Sequence, residues 1–474
     1  MLRKSVLFFV ILIATMVLIF IGNYYYGRPV LSPDYHLSLQ KHVSPAKPIQ
    51  AGFSKRSISP RSLDEIWIAG FGHGRQATSS HDPLWARSMV LKVGGVTLAW
   101  VSIDAIGMFY QDVIDIRKAL HTVCDYVMVS ATHTHQAPDI IGIWGETEVQ
   151  SGVNKAYLDY VKAQVVSGVQ EAVRQIEPAS LHFSQVNGRT KQWLEDTRLP
   201  HVLDEGLRMM YVRSKKTNQA LGSLLTWACH PETLWSDNTA VSSDFVHYLR
   251  DSLDSAVGGV TVYINGAIGG LLTTSDTFPI QSRQSGKVFT QPSFEKARAL
   301  GQNLARVVIE TMKKNEGYDS ADLSLRVETI RVPLDNRSFR LAIMAGIINR
   351  GLIGFKREVR TELAAIKLGP ATFITIPGEI YPEIVNGGIV SGGGADYQIG
   401  PIEVPPLREK MAGKYKFVLG LTNDFLGYII PKSQWDRVAP FDPHPKRPYG
   451  EINSLGPETA PIIYRQLSTM LKTL

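Results

Sequence analysis

The sequence predicts a mixed α/β fold, with β-sheets flanked by helices in a layered α-β-β-α arrangement, and three observations carry that expectation. Apolar strand-like runs (127–132, 221–229, 260–264) alternate with helical patterns (112–120, 157–175, 244–256, 293–315), as in sheets covered by helices. The composition is that of a folded protein, 44% hydrophobic and 20% charged over 474 residues, enough for one large domain. Several of the strand-like runs end in a histidine or carboxylate beside a Pro or Gly turn, which places polar side chains together at one edge of a sheet.

At the start of the chain, Arg3 and Lys4 precede an apolar run over 6–21 broken only by Thr15, and Tyr24, Tyr25 and Tyr26 follow it. Basic residues before an apolar run stay cytoplasmic and tyrosines favour the membrane interface. Residues 1–26 are therefore expected to be a membrane anchor or signal segment, with the remainder outside the cytoplasm, or secreted if the segment is cleaved. Residues 27–48, carrying Pro29, Pro33, Pro45 and Pro48, read as a linker, and 49–474 as one domain. The net charge of +7 suits an anionic surface, but the basic residues are scattered without interleaved aromatics, which argues against nucleic acid. Two cysteines, Cys124 and Cys229, make no disulfide framework; they either pair or are buried thiols.

The glycine-rich run 67–74 lacks a phosphate-cradling spacing and reads as a turn that places His73 near a pocket rim. Gly94-Gly95 joins strands 88–93 and 97–103 in a hairpin. Asp104 at its end is a ligand, a partner to one, or a helix cap. Leu158, Val161, Val165, Val169 and Val173 recur at helical spacing. Residues 181–186 and 208–213 read as strands, with 187–204 as a long loop between them. The segment 336–361 holds Arg337, Arg340, Arg350, Lys356, Arg357 and Arg360, a basic face that is either near lipid or solvated.

Chemistry concentrates around strand 127–132, which opens into His133-Thr134-His135. Residues two apart on a strand point the same way, so the run is expected to set two imidazoles side by side where ligands gather in α/β proteins. Strand 224–229 likewise ends in His230, held extended by Pro231. Asp244 is placed to cap a helix or to orient an imidazole. Pro377-Gly378 turns to expose Glu379, and Tyr428 lies in a glycine-bearing turn. Two or three histidines with a carboxylate at strand ends compose a catalytic zinc site that keeps a position for water.

Residues 130–138, Ser-Ala-Thr-His-Thr-His-Gln-Ala-Pro, resemble the signature of the neutral/alkaline ceramidases. The order of Trp227 to His230, Ser242-Ser243-Asp244, Pro377-Gly378-Glu379 and Asn423 to Tyr428 is similar to that family as well, so the likeness covers most of 50–474. The resemblance implies that His133, His230, Glu379 and Tyr428 hold Zn2+ and that His135 donates to a developing oxyanion. Two departures stand out. Leu272 occupies the position of a family serine, within a stretch where Gly269, Gly270, Leu272 and Thr273 are expected to line the substrate pocket. No counterpart of the family's C-terminal immunoglobulin-like domain is expected. The implied function is a membrane-anchored, extracytoplasmic zinc hydrolase cleaving the amide of ceramide or a related lipid. The rivals are hydrolysis of another envelope amide or ester, and a binding homologue without catalysis.

Overall fold

The structure is a computed structural model that describes residues 2–26, 36–312, 317–353, 357–390, 397–436 and 449–474; side chains of the first helix are described for 4–18, and position 271 by its backbone alone. Its strands are β1 (Ser38–Ser57), β2 (Trp85–Val93), β3 (Val96–Ile103), β4 (Tyr126–Ala131), β5 (Glu177–Val186), β6 (Leu207–Ser214), β7 (Ala220–Trp227), β8 (Val260–Asn265), β9 (Ser320–Pro333), β10 (Glu358–Leu368), β11 (Ala371–Thr375) and β12 (Tyr415–Leu419), beside shorter pairs. The helices used below are α1 (Leu2–Tyr26), α2 (Tyr110–Leu120), α3 (Lys155–Arg174), α4 (Phe245–Val257), α5 (Phe294–Met312), α6 (Arg337–Met344), α7 (Pro382–Asn386) and α8 (Thr459–Lys472).

Strand side chains alternate between two faces, and in these strands both faces are apolar, so each sheet must be covered twice. On β3, Leu98 and Trp100 enter an inner core shared with Phe373 and Phe417, while Ala99, Val101 and Ile103 pack outward under α2 and α3. On the second sheet Val418 of β12 and Leu363 of β10 face outward against α7 and α8. A further outer core packs α4 and α5 on β6, β7 and β8. The result is the expected order of helix, sheet, sheet and helix.

The strand order β8-β7-β6-β5-β1-β9-β10-β11-β12 runs through both sheets because β1 belongs to each. Its first half pairs antiparallel with β9, from Ser38 opposite Glu328 to Pro48 opposite Ser320, and its second half with β2, from Ile49 opposite Val93 to Ser57 opposite Trp85. This corrects the expected linker over 27–48. From Ser38 onward the chain is already sheet, and residues 27–35 lie outside those described. The prolines misled because proline is tolerated at irregularities in a sheet, and the β1–β9 register shifts between Val43 and Lys47, around Pro45.

Both cysteines are free and buried, Cys124 under α2 and Cys229 among the residues packed by α4. In α1 the apolar side chains from Val6 to Leu18 that are described are exposed, and α1 runs beside α6. Among the described residues no helix is long and apolar enough to cross a membrane.

Candidate active site

Three parallel pairings set the site. β4 lies parallel to β3, β8 to β7, and β12 to β11, and the residues beyond the carboxyl ends of these strands converge, as is usual in α/β sheets. His133 follows β4, His230 follows β7, Glu379 follows β11 and Tyr428 follows β12. Glu379 and Tyr428 are then locked in register as partners in a short parallel pair. Asn265, ending β8, donates to the Thr132 carbonyl (2.6 Å) and so ties two strand ends together.

The two histidines of the His-Thr-His run do meet, with ring centroids 5.0 Å apart, but not by strand alternation. β4 stops at Ala131, and His133 has φ of +66°, in the left-handed region that β-carbons disfavour. The strain is held by the His133 N–H donating to the Ala105 carbonyl (2.9 Å) and Nδ1 donating to the Ile106 carbonyl (2.6 Å). A carbonyl only accepts, so the proton sits on Nδ1 and Nε2 is the nitrogen turned towards Glu379, 3.6 Å away. His230 repeats the device. Its N–H (2.9 Å) and its Nδ1 (2.8 Å) both donate to the Leu272 carbonyl, and Nε2 lies 3.1 Å from Glu379 Oε2. Fixing Nδ1 by a carbonyl is how metal-ligating imidazoles are oriented.

Burial opposes charge on both members of the His230–Glu379 pair, but each outweighs it for the other. Against burial, the hydrogen bond that His230 gives to Glu379 and the charges of Glu232 and Glu379 raise His230 to about 9. Against burial, His133 and His230 lower Glu379 to about 2. Ligand atoms of His133, His135 and His230 all lie within 4.8 Å of one another. Three imidazoles and a carboxylate of this kind fit a zinc or similar ion. Tyr428 lies beside Glu379, and burial first, then the Glu379 charge, raise its pKa well above that of a free phenol.

His135 is held differently. Its N–H donates to the Pro231 carbonyl (3.2 Å), and its carbonyl accepts from Arg75 (3.2 Å). Neither ring nitrogen has an aligned hydrogen-bond partner, although Nδ1 is 3.3 Å from Glu232 Oε2. Burial, then the neighbouring His133, His230 and Arg75, push its pKa well below 6.5. Gly70 makes room for the ring, since a β-carbon there would lie 2.4 Å from His135 Cγ and the backbone has φ of +108°. Sequence reasoning missed Arg75 and Glu232. Glu232, two residues after His230, was legible as a carboxylate near a ligand imidazole; Arg75 left no such signal.

The remaining predicted residues lie around this centre. Asp104 pairs with the buried Arg250 (2.9 and 2.7 Å). Asp244 caps α4 and also accepts from Leu234 and Thr233, so main-chain carbonyls rather than Asp244 orient the imidazoles. Gly269, Gly270, Leu272 and Thr273, expected to line the substrate pocket, stand behind the histidines and not among the cavity-lining residues. A β-carbon at Gly269 would meet Tyr381 Cδ1 at 2.3 Å, and Gly270 abuts Asp196. The Leu272 side chain is fully buried in the core under α2 and α3, and Thr273 donates to Glu232. Position 272 serves the site through its carbonyl.

In front of the histidines opens a cavity of about 730 Å³ whose lining includes His133, His135, Glu379 and Tyr428. His73 lines it as expected. One wall is aromatic, with Phe71, Trp144 and Trp235, and another is supplied by Phe109, Phe339 and Ile343. Neither protein-family models nor curated proteins match the sequence. Among solved structures, the neutral ceramidase from Pseudomonas aeruginosa aligns with a TM-score of 0.66 over 90% of this chain and 75% of that chain, at 13% identity. A ceramidase complexed with C2 aligns with a TM-score of 0.67 over 90% of this chain and 76% of that chain, also at 13% identity. The fold is neutral-ceramidase-like. At this identity the likeness is one of architecture, and within the ceramidase-like fold it is the geometry above that bears on chemistry.

Proposed function

We propose that the chain is a zinc-dependent amidohydrolase that cleaves the amide bond of ceramide or a related lipid. Its catalytic domain would stand outside the cytoplasm on an N-terminal anchor. The observation that carries the reading is a buried cluster of three imidazoles and one carboxylate facing a large cavity with mainly apolar walls. His133, His230, Glu379 and Tyr428 would hold the ion. Zinc, when bound, supplies Lewis acidity towards an amide carbonyl and ionises water near neutral pH. His135 is neutral at pH 7, and the Glu232 carboxylate at Nδ1 favours the proton there, leaving Nε2 to accept a proton and later return it to the leaving amine. Ile106, Phe109, Phe339 and Ile343 give a hydrocarbon chain apolar surface to cover. Arg3 and Lys4 ahead of the exposed apolar side chains of α1 support the anchor.

The test is metal analysis of the purified protein together with hydrolysis of a fluorescent ceramide, with and without chelator. Stoichiometric zinc and chelator-sensitive release of the fatty acid are expected. Turnover of other amides or esters but not ceramide would move the substrate class. Absence of any turnover at full metal occupancy would sink the hydrolase.

A further inference from the structure

The rim of the cavity carries the basic segment whose role the sequence left open. α6 begins with Asn336 capping the Phe339 N–H (3.1 Å), and none of its residues is buried. One side of this short helix sends Phe339 and Ile343 into the cavity lining. Leu341, between them in sequence, is 57% exposed, and Tyr449 and Ile452, which also line the cavity, are 37% and 44% exposed. Exposed apolar side chains around a pocket mouth mark a surface meant for something other than water.

The charge on this rim is predominantly basic. Arg337 and Arg357 are exposed and Arg340 half-buried, and among the described residues none of the three forms an ion pair with a carboxylate. Partial burial, then the nearby Arg357 and Arg337 guanidiniums, hold Arg340 below the ordinary arginine value, with Asp335 opposing them. The apolar helix α1 lies beside α6. Three guanidiniums next to exposed apolar side chains match the two layers of an anionic bilayer surface, phosphate outside and hydrocarbon beneath.

We infer that α6 docks the cavity mouth onto an anionic lipid bilayer, with Arg337, Arg340 and Arg357 on the headgroups and Leu341 entering the interface. This deepens the hydrolase reading and rests on it for the cavity's occupant, because a lipid leaving the bilayer at α6 meets Phe339 and Ile343 first.

The full chain carrying Leu341→Cys is labelled with an environment-sensitive fluorophore; Cys124 and Cys229 are buried, which directs the label to position 341. It is titrated with phosphatidylcholine vesicles with or without phosphatidylglycerol, and with inorganic phosphate. The anionic vesicles are expected to give a larger blue shift than the neutral ones, into which the anchor by itself inserts. Arg337→Gln, Arg340→Gln and Arg357→Gln should weaken it about fivefold for each charge removed. Equal shifts in neutral vesicles, a matching response to phosphate, or a response unchanged in the triple variant would overturn the docking. No shift in any lipid would leave the arginines to solvent or a protein partner and overturn it as well. Hydrolysis of a water-soluble short-chain amide is measured on the same preparations and should be unchanged by the arginine variants. A lipid-dependent shift without hydrolysis of any substrate would refute the enzyme while leaving the docking in place.

Discussion

At the floor of the cavity His133, His230 and Glu379 are each 3% exposed, whereas at its rim no residue of α6 is buried. The floor hangs from the ends of parallel strands, and its imidazoles are fixed by main-chain carbonyls from other segments. The rim is held by Asn336, which caps it and donates to the Ile452 and Ser454 carbonyls, and by Phe339, Ala342 and Ile343 resting on the core. The contrast teaches which part of the molecule is able to vary. Preorganised groups must keep their positions to within a fraction of an ångström to act on a reacting bond. A surface that meets a fluid bilayer needs only charge and apolar area.

The largest effect should come from separating the floor's own members. His133→Ala is expected to abolish both metal retention and turnover, whereas His135→Ala should keep the metal and lose roughly 100-fold or more in rate. Metal content and kcat measured on the two variants decide this. Equal metal loss in both would make His135 a ligand, as the close approach of the three histidines allows.

The next compares one chemical change in the two regions. Leu272→Ser removes a fully buried side chain and leaves a hydroxyl in the core under α2 and α3, at a cost of about 3 to 5 kcal/mol. Leu341→Ser on the exposed rim should stay within about 0.5 kcal/mol. Thermal or denaturant unfolding reads both. A stable Leu272→Ser with altered substrate preference would show that position 272 faces substrate after all.

A smaller effect concerns the support behind the floor. Asp204 accepts from the Ala267 N–H just beyond β8 and from both outer nitrogens of Arg408. Burial pushes its pKa up, but the charges of Arg408 and Arg208 outweigh that and hold it at about 2, against 3.8 for the free group. A depressed carboxyl contributes stability that is full above 3.8 and lost as pH falls through 2, here about 2 kcal/mol. Asp204→Asn should therefore be less stable at pH 6 and lose less than the parent between pH 5 and 2. Parallel pH profiles for the two proteins would refute the coupling.

Much of this was legible locally. The Gly94-Gly95 hairpin, the 3.6-residue spacing of Val161, Val165 and Val169, and the His-Thr-His run at a strand end depend on neighbours a few residues away. Period and turn chemistry therefore determine them, and the sequence alone sufficed for the layered α/β class and for gathering His133, His135, His230 and Glu379 as candidates.

What only the tertiary structure decided involves partners far apart in the chain. Pro45 and Pro48, two of the prolines that suggested a tether, sit in β1 because β9, far along the chain, offers a register with an irregularity to hold them. Leu272 turned out to matter through a carbonyl that holds His230, 42 residues away, and a carbonyl looks the same in every residue. Glu232 meets His135, and Phe339 and Ile343 reach a cavity whose histidines lie about 200 residues upstream, by packing that no periodicity encodes. Local pattern specifies which face of an element is apolar. The direction in which a polar group finds its partner is set only when the sheets close, because burial leaves each donor and acceptor with whichever partner the fold brings within reach.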